Sequence, residues 1–109
     1  MNTKQTVVVA TKKELIEIIK NASVEADLNY LDVSNITDMS SLFAHSKFNG
    51  DISKWDVSSV IYMSNMFQHS KFNGDISYWN VSNVTNMEYM FYNNTIFKGN
   101  ISKWVKQPT

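Results

Sequence analysis

A nine-residue string, HSKFNGDIS, occupies positions 45–53 and returns unchanged at 69–77, an offset of 24. Apolar positions around it recur in the same register: Val33, Val57 and Val81; Ile36, Val60 and Val84; Met39, Met63 and Met87; Leu42, Met66 and Met90; Phe43, Phe67 and Phe91. Self-similarity at a fixed period of this size marks a repeat architecture, in which each unit buries its apolar face against its neighbours. In the third unit an extra residue near 93–95 moves the offset to 25, giving Phe48, Phe72 and Phe97; Ile52, Ile76 and Ile101; and Trp55, Trp79 and Trp104. An insertion there implies a surface turn, where added length costs little loop entropy.

Within a unit the apolar spacing changes character. Ile52, Trp55 and Val57 read as a short strand with its entry turn, because Trp55 and Val57 alternate and are β-formers. Val60, Met63, Met66 and Phe67 step by three and four, as one face of a helix does. Ser58 or Ser59, with Ser34 or Asn35 and Ser82 or Asn83 in the neighbouring units, stands where a side-chain oxygen caps such a helix. Asn49-Gly50-Asp51 and Asn73-Gly74-Asp75, with Gly99 repeating the device, supply the positive φ of a sharp return turn. The fold class expected is therefore α/β: a short solenoid, each repeat a short strand plus a short helix, with an N-terminal helical cap.

Stacking is energetically required. A large buried apolar side chain contributes about 1.5–3 kcal/mol, whereas ordering a residue costs about 1.5 kcal/mol, so a lone unit of this length does not fold. Residues 1–27 form the cap, a strand plus an amphipathic helix; residues 28–105 hold three full repeats and the start of a fourth; residues 106–109 are a tail. The cap helix opens on Thr11-Lys12-Lys13-Glu14, a capping box ahead of Leu15, Ile16, Ile18 and Ile19.

Composition narrows the function classes. Ten Lys balance ten Asp and Glu, and no Arg is present, so the bidentate forks that grip phosphate are missing and nucleic acid is not an expected partner. The absence of Cys excludes a disulfide framework, thiolate metal sites and a Cys nucleophile. The apolar run Val7-Val8-Val9 is too short for a signal-peptide core or a membrane span. The chain thus reads as unexported, with a cytoplasmic or virion-associated place ahead of a cell surface, and with no membrane insertion.

Stacked strands place outward residues in rows. Tyr30, Lys54, Tyr78 and Lys103 make one row and Asp32, Asp56 and Asn80 the next, and this face, with Trp104 at the end of the repeat array, is the expected partner-binding surface. Tyr anchors alternating with Lys offer amphipathic contact area and cation–π contacts to a partner, or pack on one another as an ordinary solvated face. Asp32 and Asp56, one strand apart, repel unless compensated by hydrogen bonds from backbone or Ser, or by a cation; the hydrogen bonds are the favoured reading. His45 and His69 occupy equivalent positions and are expected to stack, but two ligands do not make a zinc site. No nucleophile with a base, metal set or phosphate loop stands outside the repeat period, so no catalytic residue and no cofactor is expected. Of six Asn-x-Ser/Thr matches, at Asn21, Asn35, Asn80, Asn83, Asn93 and Asn100, most arise from the turn chemistry of the repeat.

The framework Ile52-x-x-Trp55-x-Val57-x-x-Val60 is similar to the core of leucine-rich repeats. The fuller strings FNGDISKWDVSSV at 48–60 and FNGDISYWNVSNVTNMEYMF at 72–91 resemble the BspA-like repeat of bacterial and phage proteins, also found in mycoplasma surface lipoproteins. That resemblance spans roughly residues 26–105 and implies a scaffold that mediates contacts with proteins, with no catalytic residues. The expected function is a non-catalytic module for protein–protein interaction; the alternative is a self-assembling structural component of a virion or cell-surface coat. No second amphipathic helix comes after Trp104, so the last repeat is expected to bury its apolar face against a protein partner or a second copy, a homo-oligomer through the C-terminal repeat, or else under the tail of residues 106–109.

Overall fold

The computed structural model describes residues 5–104 and residue 108. Among them the elements run in the order β1 (Val7–Val8), α1 (Lys12–Asn21) and β2 (Leu31–Asp32). The helix starts as its capping residues dictate. Thr11 is extended, with φ −134° and ψ 155°, and its hydroxyl accepts the Glu14 amide at 3.1 Å while meeting the Glu14 carboxylate at 3.3 Å. Leu15 and Ile19 are buried and Ile18 packs partly against the core, whereas Ile16 is 42% exposed and lies off the apolar face. β1 pairs in parallel with β2, with Val7 opposite Leu31 and Val8 opposite Asp32.

The expectation of an α/β leucine-rich-repeat-like solenoid, with a strand and a helix in every repeat, is overturned. The described residues contain one helix and one two-stranded sheet, both of which involve the N-terminal segment. The radius of gyration, 13.1 Å, is that of a compact globule of this length. Beyond β2 the chain is a succession of tight turns. In the second unit, Trp55 donates its amide to Ile52, Val60 to Val57, Met66 to Met63, Gln68 to Asn65 and Ser70 to Phe67, at 3.0–3.3 Å. The first and last residues of a β-turn sit three apart and close together, so Met63 and Met66 share a buried side without a helix between them. Ile52 and Trp55, expected in a strand, are likewise the two ends of a turn.

Left-handed residues keep these turns from winding into a helix. Ser41, Asn65 and Tyr89 have φ of 58°, 59° and 57°, and His45, His69 and Asn93 have 61°, 54° and 56°. The glycines do something else, since no glycine has positive φ. A Cβ on Gly50 would collide with the Ala26 carbonyl oxygen and the Phe48 ring, and one on Gly74 would lie 2.7 Å from the Phe72 ring. Glycine serves there for close approach of backbone to ring and neighbouring backbone.

The serines expected to cap helices are also reassigned, because they are donors. Ser34 gives its amide and hydroxyl to Asp32 Oδ1 at 2.9 and 2.6 Å, and Ser58 does the same to Asp56 at 3.0 and 2.6 Å. Each is an Asx-turn, in which a carboxylate takes the place of a backbone acceptor.

Units meet through backbone and rings. The amides of Met39, Ser41, Phe43 and His45 donate to the carbonyls of Tyr62, Ser64, Met66 and Gln68 at 2.9 Å. One unit later Met63, Asn65, Phe67 and His69 donate to Asn86, Glu88, Met90 and Tyr92 at 2.8–2.9 Å. Inside, Phe43, Phe67 and Phe91 stack at 5.4 Å steps, and Trp55, Trp79 and Trp104 at 6.4 Å steps with planes 5° apart. Each indole N–H is satisfied by a carbonyl of the preceding unit: Leu28, Ile52 and Ile76 at 2.9, 3.1 and 3.0 Å.

Candidate functional site

The row Tyr30, Lys54, Tyr78 and Lys103 does not form a uniform face. Tyr30 is half-buried beside Ile18 and Ala22 of the helix region, whereas Tyr78 is 79% exposed and Lys54 and Lys103 are exposed. Lys103 places its Nζ 5.2 Å from the centre of the Tyr78 ring, so that pair makes its cation–π contact within the chain. Trp104 is 5% exposed and closes the indole column.

The neighbouring row carries charge held by turns. The Ser34 hydroxyl and amide lower the pKa of Asp32, and the Ser58 hydroxyl and amide lower that of Asp56 against some repulsion from Asp32. Asn80, the third member, accepts the Ser82 amide at 3.1 Å. Asp75 is lowered by Ser77 in the same way, and Asp51 chiefly by Asn29 and then Ser53. Asp38 differs, because partial burial is the largest influence and raises it, but the Ser40 hydrogen bonds together with Lys12, 3.5 Å away, leave it lowered. The carboxylates are thus occupied in turn geometry. Among the described residues no group of three or more His, Asp or Glu stands close enough to hold a metal ion.

His45 and His69 stack with ring centres 4.8 Å apart and planes 13° apart. Tyr92 meets His69 edge-on at 5.8 Å and Tyr89 meets Tyr92 edge-on at 5.6 Å, which continues the aromatic file into the third unit. Tyr89, Tyr92, Asn65 and Gln68 line an open depression of about 500 Å³. The signal in the sequence is a departure from the period: Tyr89 stands where earlier units have Ser41 and Asn65, and Tyr92 where they have Ala44 and Gln68.

The two ends of the array differ. Along the first unit α1 runs from Lys12, whose amine bonds Ser40 Oγ at 3.1 Å, to Ile19 and Lys20 beside His45 and Phe48. At the other end Phe91, Phe97 and Ile101 are only partly buried, although their counterparts Phe67, Phe72 and Ile76 are 0%, 0% and 1% exposed. The amides of Met87, Tyr89, Phe91 and Asn93 continue the donor row of the two inner units, yet among the described residues they meet no acceptor. The tail expected to cover this end lies outside the described residues apart from Pro108.

A small repeat protein whose units are chains of Asx-turns and β-turns is the class these features define. Residues 13–109 match the family described as "Mycoplasma protein of unknown function, DUF285", and the chain belongs to it. No curated protein and no solved structure matches the chain. No helix among the described residues is long and apolar enough to cross a membrane.

Proposed function

We propose that the chain is a non-catalytic binding module that docks an extended segment of a partner protein on the face of its third unit. The observation that carries this reading is the row of amides at Met87, Tyr89, Phe91 and Asn93, which meet no acceptor among the described residues, set beside the half-buried rings of Phe91 and Phe97. In the inner units the same row is met by every second carbonyl of the next segment, 62–68 or 86–92. An occupant must therefore be a polypeptide that presents alternate carbonyls on one side and apolar side chains beneath them, the chemistry of strand addition to an open edge. The resemblance of residues 26–105 to BspA-like repeats, a group taken to contact proteins, supports the same reading. Head-to-tail self-assembly is disfavoured because α1 lies along the opposite end, where the acceptor row of a second copy would have to be offered.

A synthetic peptide copying residues 62–73 is the direct probe, since that segment already meets such a row within the chain. Fluorescence anisotropy should report saturable binding that is lost with a scrambled peptide and weakened by Phe97→Ser. Equal binding of both peptides, or none, would overturn the proposal, as would sedimentation of the free chain as long oligomers.

A further inference from the structure

The depression between the second and third units has a chemistry separate from the open edge, and we propose that it binds a neutral saccharide. Two tyrosines, 56% and 51% exposed, stand edge to face at 5.6 Å, so one ring forms a floor and the other a wall. In the adjacent segment Asn65 Nδ2 donates to Gln68 Oε1. That bond leaves Asn65 Oδ1 as an acceptor and Gln68 Nε2 as a donor, uncommitted among the described residues. Among the described residues no charged side chain lines this open depression of about 500 Å³.

A pyranose ring matches this lining on both counts. Its axial C–H face is apolar and stacks on an aromatic ring, while each equatorial hydroxyl both donates and accepts. A phosphate or carboxylate ligand would find no cation. A proline-rich peptide would use the rings and the donor, but it would leave the Asn65 acceptor unmatched, because proline has no N–H. The backbone carries the same message. Tyr89 is held at φ 57°, a conformation that favours Asn, and a bulky residue tolerated there in place of Asn65's type points to a use for its ring.

The double variant Tyr89→Asn/Tyr92→Gln installs the residues of the second unit, so it removes both rings without asking the backbone for a new conformation. Side-chain amide resonances of Asn65 and Gln68 should be monitored by NMR while the full chain is titrated to millimolar levels with N,N′-diacetylchitobiose, with cellobiose and with decaproline. Shifts with at least one disaccharide are expected, weakened about tenfold or more in the double variant by loss of the two ring contacts. Thermal melting of the variant should equal or exceed that of the parent. No shift with either disaccharide, shifts that survive undiminished in the variant, or a response to decaproline alone would each overturn the assignment.

Discussion

The second and third units carry nearly the same side chains and end in different states. Phe67 and Phe72 are fully buried between neighbours, whereas Phe91 and Phe97 are only partly buried. The amides of Met63, Asn65, Phe67 and His69 are paired with the next unit, and those of Met87, Tyr89, Phe91 and Asn93 are not, among the described residues. For these rings burial follows position in the stack, whereas Val81, Val84 and Met90 of the third unit are as buried as their second-unit counterparts. A unit completes its core only when the next unit packs on it, as expected where no single unit can bury its own apolar face.

Ring removal should separate the units most strongly. Phe67→Ala should cost about 3–5 kcal/mol by urea denaturation, the usual range for a buried Phe, and Phe91→Ala well under that, because its ring is only partly buried. Equal losses would break the comparison. A smaller contrast is expected at the glycines. Gly50→Ala drives a Cβ into the Ala26 backbone carbonyl and should cost about 1–3 kcal/mol as overpacking does, while at Gly99 the added carbon meets only the Phe97 ring in the less covered unit. Gly99→Ala should therefore melt closer to the parent.

The smallest effect concerns acid. Asp32, Asp38, Asp51, Asp56 and Asp75 have folded-state pKa values below the ordinary 3.8. A lowered carboxylate stabilises the fold fully above its unfolded value and loses that contribution as pH falls through the folded one. Melting temperature should hold steady from neutrality down to that ordinary value and fall below it. Because four of these residues lie in the first and second units, Asp56→Asn should flatten the acid limb slightly, and a flat profile in the parent would remove the Asx-turns from the stability account.

How much of this could be read from the residues depends on the physical meaning of each signal. The period, the Trp column, the His45–His69 stack and the Thr11 cap were legible, because identical side chains at fixed spacing and a hydroxyl three residues before Glu14 leave few arrangements. Helix and turn were not separable. Both bring residues three apart onto one side, so Val60, Met63, Met66 and Phe67 satisfy either, and only the left-handed backbone at Asn65 and His69 decides. Gly50 misled for a related reason: Asn-Gly is a turn signal, but the constraint was a carbonyl of the preceding unit, which local pattern does not contain. Of the expected partner row, Tyr78 is exposed, whereas Trp104 is spent on the core, since whether a ring faces in depends on the stack. Tyr89 and Tyr92 were visible only as exceptions to the period.

Hydrogen exchange resolved to single amides tests the central contrast without any partner. Met63, Asn65, Phe67 and His69 should exchange slowly, near the rate of global opening, while Met87, Tyr89, Phe91 and Asn93 exchange orders of magnitude faster in the same molecule. Matched protection of the two rows in the isolated chain would mean that the third unit is already covered, and the open edge on which the proposed function rests would not exist.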